Sequence, residues 1–191
     1  MKKSTLIILA VVAVVVIWAI GGYNGLVKVD EKANEQWANV ETVYQRRADL
    51  IPNLVNTVKG YAAHEQETLE AVVAARANAT SVSVDPTNAE DMERWMEAQQ
   101  QVGSALGRLI AVAESYPELK ANQNFLELQS QLEGTENRIS TERKRYNEIV
   151  KEYNVKCRKF PTNLLAGIFG FDKRAMFEAQ EGAEQAPVVE F

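Results

Sequence analysis

Apolar residues recur every three or four positions along most of the chain, the spacing that keeps them on one face of an α-helix. Four such stripes are legible. The first carries Leu26, Val29, Ala33, Trp37, Val40 and Tyr44. The second carries Leu54, Val58, Tyr61, Leu69, Val72 and Val73. Met92, Trp95, Met96, Leu106, Leu109, Ile110 and Ala113 make the third, and Phe125, Leu128, Leu132, Ile139, Tyr146, Ile149 and Tyr153 the fourth. No stretch alternates like a half-buried strand for long enough to compete. The fold class predicted is all-α: an antiparallel up-and-down four-helix bundle with coiled-coil-like packing, behind an N-terminal transmembrane helix.

The breaks between stripes set the topology. In the stretch RRADLIPNLVNTVKGYAAHE, which begins at residue 46, Arg46 and Arg47 suit the C-terminal end of a helix dipole, Asp49 suits a helix start, and Pro52 fits a first turn. A turn near Asp49 is therefore expected, with a single kinked helix running to about His64 as the alternative. The turn is preferred because it gives helices of similar length. Thr87 and Glu90 form a capping box between the second and third helices, and Pro117 with Asn124 and Glu127 marks the next boundary. Pro161 stops the fourth helix at or before Phe160. This topology puts residues 46–52 and 116–122 together at the membrane-distal tip. It returns Lys156, Arg158 and Lys159 towards the bilayer.

Attachment is read from residues 4–27, an uncharged run of 24 residues that exceeds the ~20 needed to cross a bilayer. Trp18 and Tyr23 fit an interfacial aromatic belt. A cleaved signal peptide is the competing reading, with residues 19–21 as its small-x-small site; the absence of a loop before the helical body favours an anchor. Lys2 and Lys3 place the N-terminus in the cytoplasm, so a single-pass protein of the bacterial cytoplasmic membrane with an extracytoplasmic body is expected. The domains read as an anchor over 1–27, the bundle over 28–160, an apolar and basic segment over 161–179, and a disordered acidic tail over 180–191.

Composition narrows the function. All 26 acidic residues follow the anchor, and setting aside Lys2, Lys3 and Lys28 leaves 18 of 21 basic residues against them, a net of −8. Nucleic acid is a poor partner for that balance. Cys157 and His64 are the only residues of their kinds. His64-Glu65 lacks the second histidine of a metalloprotease helix, because Thr68 stands in its place, and paired Glu-x-x-His motifs for a di-metal bundle are unattainable. No catalytic residue, metal site or cofactor is expected. Gln129, Glu136, Asn137, Arg143 and Asn147 lie on or near the fourth stripe, either as a buried polar layer or as solvated residues. The run 164–171, with Leu164, Leu165, Ile168, Phe169 and Phe171, is too short to span. It reads as core folded across the bundle's open end, with a place among lipid headgroups, between Lys156, Arg158 and Lys159 before it and Lys173 and Arg174 after it, as the alternative.

The motifs YNGLV at 23, RRADLIPNLVNTVKGYAAHE at 46, YPELKANQNFLELQSQLEGTENRIS at 116 and RKRYNEIVKEYN at 143 together resemble the LemA family of bacterial membrane-anchored helical proteins. The resemblance implies an N-terminal transmembrane helix and an antiparallel helical domain, with no established activity or cofactor. It also implies an external N-terminus, opposite to the charge-based orientation, which is retained here. The expected role is a non-enzymatic adaptor that docks an envelope protein partner through Arg46, Arg47, Asp49, Tyr116, Lys120 and Asn122, or else these residues simply lock the tip. Membrane lipid is met through the N-terminal helix. A self-assembling structural protein forming a homo-oligomer is the alternative.

Overall fold

The structure, a computed structural model, describes residues 3–178; the acidic tail expected over 180–191 lies outside the described residues. Among them the fold is all-helical. The elements are α1 (Lys3–Lys59), α2 (Gln66–Ser81), α3 (Ala89–Ala113), the single turn α4 (Pro117–Lys120), α5 (Gln123–Arg158) and α6 (Thr162–Phe169), after which residues 171–178 run without helix.

The expected turn at Asp49 does not exist. Helix α1 runs unbroken for 57 residues with Pro52 inside it, about 85 Å at ~1.5 Å per residue. Proline removes one N–H from the helix ladder, which leaves the carbonyl four residues earlier without its usual donor. That carbonyl belongs to Ala48, and the Arg76 Nε of α2 donates to it at 2.7 Å. A neighbouring helix thus supplies the hydrogen bond that the proline withholds. The buried positions keep their spacing through the same region, from Val40 and Tyr44 through Arg47, Ile51 and Leu54 to Val58. A loop inserted there would have thrown this register off.

Replacing Arg76 with alanine is expected to cost about 1–2 kcal/mol, because Ala48 O loses its donor. In a Pro52→Ala background, where the helix supplies its own donor, the same replacement should cost less than about half as much. Chemical unfolding of the four variants checks this, and strict additivity would contradict the account.

The reversal occurs instead at residues 60–65. Gly60 follows the last helical residue, and Ala62 is buried with its N–H bonded to Val58 O at 2.8 Å. The later boundaries fall close to expectation, with different caps. Asn88, not Thr87, accepts from the N–H of Glu90 and Asp91 at the start of α3. Asn122 accepts from Phe125 N at 3.0 Å at the start of α5.

Three clusters of buried residues lie in sequence along the long axis. The distal cluster joins Ile51, Leu54 and Val58 of α1, Leu69 and Val72 of α2, Val102, Leu106 and Leu109 of α3, and Phe125 and Leu132 of α5. The middle cluster holds Trp37, Tyr44, Met92, Trp95, Tyr146 and Phe177. Nearest the apolar N-terminal run, Leu26, Val29, Tyr153, Cys157, Leu165 and Ala166 form the third. With 16 residues, α2 contributes only to the distal cluster. The equal helix lengths assumed from sequence are not needed, since residues 171–178 cover α1 and α5 where α2 is absent.

Candidate functional site

The most developed polar geometry lies where this extended segment meets α1 and α5. Asn154 donates through Nδ2 to Arg174 O at 3.0 Å and accepts from Arg174 N at 2.9 Å. Asn147 repeats the pattern with Phe177, at 2.8 Å in each direction. Seven residues of helix advance about 10.5 Å and three of extended chain about 10 Å, so two carboxamides on one helix face match two peptide groups in register. This clamp satisfies backbone groups that have no ladder of their own.

Side chains complete the fit. Arg174 is buried, donating to Asp30 Oδ1 at 2.8 Å and Asn34 Oδ1 at 2.7 Å, with its guanidinium 5.4 Å from the Tyr153 ring centroid. Phe177 stacks on Trp37 at 6.1 Å, meets Tyr146 edge-on at 5.4 Å, and carries the Arg143 guanidinium 4.7 Å from its ring centroid. Burial pushes the Tyr146 phenol up to about 12, with Arg174 opposing. The Tyr153 phenol is raised chiefly by burial and donates to Asp172 O at 2.9 Å. Cys157 is buried, and that burial raises its thiol above its ordinary value, the opposite of what a nucleophile requires.

A second polar layer centres on Arg47. Expected at an exposed turn, it is only 4 % exposed on the continuous α1. Its guanidinium donates to Glu136 Oε1 at 3.0 Å and to Gln99 at both O, 3.0 Å, and Oε1, 2.7 Å, and it lies 5.0 Å from the Tyr44 ring centroid. One side chain thereby ties α1, α3 and α5 together. A cavity of about 270 Å³ opens beside it between α1, α2 and α3, lined by Arg47, Arg76, Gln99 and Trp95. Both guanidinium groups there are already engaged by protein acceptors.

The six residues expected at one tip therefore separate. Tyr116, Lys120 and Asn122 are at the tip, where Tyr116 OH donates to Glu65 Oε1 at 2.9 Å and Asn122 Nδ2 to Tyr61 OH at 2.8 Å. The Glu65 carboxylate raises the Tyr116 phenol through that hydrogen bond. Lys120 is exposed. Arg46 and Asp49 lie on the outer surface of α1, ten residues or more before its end at Lys59, about 15 Å back from the tip. Asp49 accepts there from Gln45 Nε2 at 2.8 Å.

Of the apolar residues expected near the membrane, Leu165 packs inward and Phe171 is partly covered, while Leu164, Ile168 and Phe169 face outward. Of the polar set on the fourth stripe, Glu136, Arg143 and Asn147 join the layers just described. Gln129 bonds only Glu133, and Asn137 is exposed. Asn154 was missed, although it shares the seven-residue spacing of Asn147 on an apolar face, which was the available signal. Arg174, expected among the basic residues facing headgroups, is instead buried.

Among the described residues no group of three His, Cys, Asp or Glu side chains is arranged to hold a metal ion. Among the described residues one helix is long and apolar enough to cross a membrane, α1 near its N-terminus.

Proteins similar in sequence cover most of the chain. Magnetosome protein MamQ 2 of Paramagnetospirillum magneticum is 29 % identical over 186 residues, covering 87 % of this chain and 68 % of that protein. Magnetosome protein MamQ of Magnetospirillum gryphiswaldense is 27 % identical with the same coverage. Protein LemA of Metamycoplasma hominis is 26 % identical over 162 residues, covering 85 % of this chain and 71 % of that protein. None of these names specifies a reaction. The LemA family model matches residues 36–191, which takes in the later part of α1 and all of α2 to α6, and the chain belongs to the LemA family.

Proposed function

We propose that this chain is a single-pass, non-enzymatic interaction protein of the bacterial cell envelope, which presents a docking surface at a set distance from the cytoplasmic membrane. The observation that carries the reading is the continuity of α1 from Lys3 to Lys59. A helix without a hinge couples the anchor to the tip, and the residues beyond Lys28 hold that tip roughly 45 Å from the end of the uncharged run. The body is read as an antiparallel four-helix bundle of α1, α2, α3 and α5, supported by the distal core they share. The charge balance at the N-terminus supports an extracytoplasmic body. The docking surface comprises Tyr116, Lys120 and Asn122 with the neighbouring residues of the 60–65 turn, and Arg46 and Asp49 on the flank of α1. Arg47 is left out because it is buried.

A photo-reactive residue at position 64, in the full chain in its native membrane, tests this. The expected result is an adduct with a different envelope protein that falls about tenfold when Lys120→Glu is added, with melting unchanged because an exposed substitution shifts stability by under about 0.5 kcal/mol. Adducts formed only between copies of this chain would overturn the adaptor reading in favour of self-assembly.

A further inference from the structure

We infer that α6, with the basic groove beside it, is a foot set in the bilayer interface that binds anionic phospholipid. Three observations meet at this place. The first is depth. A hydrocarbon core of about 30 Å takes up about 20 residues of helix, and the uncharged run of α1 is bounded by Lys3 and Lys28. A centred core therefore ends near residues 22–25. There α6 packs: Leu165 lies so close to Gly22 that a side chain on this glycine would collide with it, and Phe169 meets the Tyr23 ring at 4.8 Å. Lys156 of α5 donates to the Gly25 carbonyl at 2.5 Å, fixing the base of the body at the same level.

The second observation is the outward face. Leu165 and Ala166 fill the proximal core, yet Leu164 is 54 %, Ile168 73 % and Phe169 55 % exposed, with Phe160 beside them at 75 %. Four large apolar side chains left outward on and beside an eight-residue helix would be costly in water. They continue the apolar surface of the span, whose side chains are exposed in the same way from Leu6 to Ile20.

The third is charge. Against α5 and the start of the extended segment lies a groove of about 430 Å³ lined by Lys151, Arg158, Lys159 and Lys173 with Asn154, Val155 and Met176. No carboxylate is among its lining residues, although the body as a whole is acidic. Cations clustered beside an interfacial apolar helix are the combination that attracts anionic headgroups. A free phosphate offers the charge but has no use for the apolar face, so the occupant is lipid.

The inference rests on the membrane anchoring proposed above, and two measurements separate the claims. Full-length chain carrying Cys157→Ala and a nitroxide at Ile168→Cys is reconstituted in phosphatidylcholine with and without phosphatidylglycerol. The expected result is a label at residue 168 accessible to oxygen and shielded from a water-soluble nickel chelate; an aqueous label on an anchored chain overturns the foot, while a chain recovered outside the bilayer defeats both readings. Native mass spectrometry from mixed-lipid nanodiscs is expected to retain phosphatidylglycerol over phosphatidylcholine. Lys159→Glu with Lys173→Glu should cut that preference about tenfold or more at unchanged melting. Absence of any preference, or loss of bound lipid to millimolar inorganic phosphate, contradicts a lipid site.

Discussion

Replacing Phe177 with alanine is expected to destabilise the protein by about 3–4 kcal/mol, the range for an aromatic ring removed from a packed core. The ring is buried among Trp37, Trp95 and Tyr146, so it loses more than its own hydrophobic transfer. The cavity opens between α1, α3 and α5, and the Asn147 clamp is left holding a segment with less to anchor it. The loss has a ceiling, because residues 171–178 can detach once their docking energy is exhausted, leaving the rest folded. Trp37 and Trp95 stand beside the substituted ring and make tryptophan fluorescence a local reporter. The expected sequence is an early fluorescence change followed by later loss of helical circular dichroism. A single transition at the wild-type midpoint would show that the segment contributes nothing.

Arg47→Ala is expected to cost about 3 kcal/mol, and Arg47→Glu about 5 or more, since breaking a buried charge network from one side falls in the ~3–5 kcal/mol range. Arg47 is almost fully covered while the Glu136 side chain remains 44 % exposed. Alanine leaves the carboxylate solvated, but it removes the donor to Gln99 Oε1 and opens a void at the junction of three helices. Glutamate additionally sets two carboxylates against each other. Thermal or urea unfolding in detergent measures both. A neutral Arg47→Ala would contradict the structural assignment and return this residue to the exposed surface where sequence reasoning had put it.

Why was Arg47 misplaced? Proline, aspartate and two arginines in seven residues satisfy every local rule for one helix ending and another beginning. The compensation is not local. Arg76 reaches Ala48 O from 24 residues beyond Pro52 in the sequence, and a rule applied within a short window has no access to it. The counter-signal was periodicity, since Tyr44, Arg47, Ile51, Leu54 and Val58 keep helical spacing across the proline. Reading Arg47 as a core position required accepting a buried charge, which depends on Gln99 and Glu136 being nearby in space. The first, third and fourth apolar stripes and the long apolar N-terminal run were legible because each is a property of one segment; the second was not, since Leu54 and Val58 belong to α1, Leu69 and Val72 to α2, and Tyr61 and Val73 are exposed. The 171–178 segment was not, because its fit depends on Asn147 and Asn154 finding peptide groups at matching intervals.

The shift of the caps to Asn88 and Asn122 has a simpler origin. Several Asn, Thr and Asp residues cluster at each boundary, and composition alone does not rank them; at the start of α3, Thr87 is diverted by Asp85, which accepts from both its N–H and its hydroxyl. These displacements move a helix start by a residue or two and leave the topology intact. The misread turn mattered more, since it shortened the rigid stalk and gathered residues at the tip that lie on different levels.

The uninterrupted course of α1 is open to one direct distance measurement. Spin labels at Lys32→Cys and Asn56→Cys, both exposed positions, in a Cys157→Ala full chain reconstituted in lipid, should lie about 36 Å apart along a straight helix. A chain doubling back at Asp49 would bring them within about 20 Å by the same helical rise, and that shorter distance would contradict the stalk on which the proposed role depends.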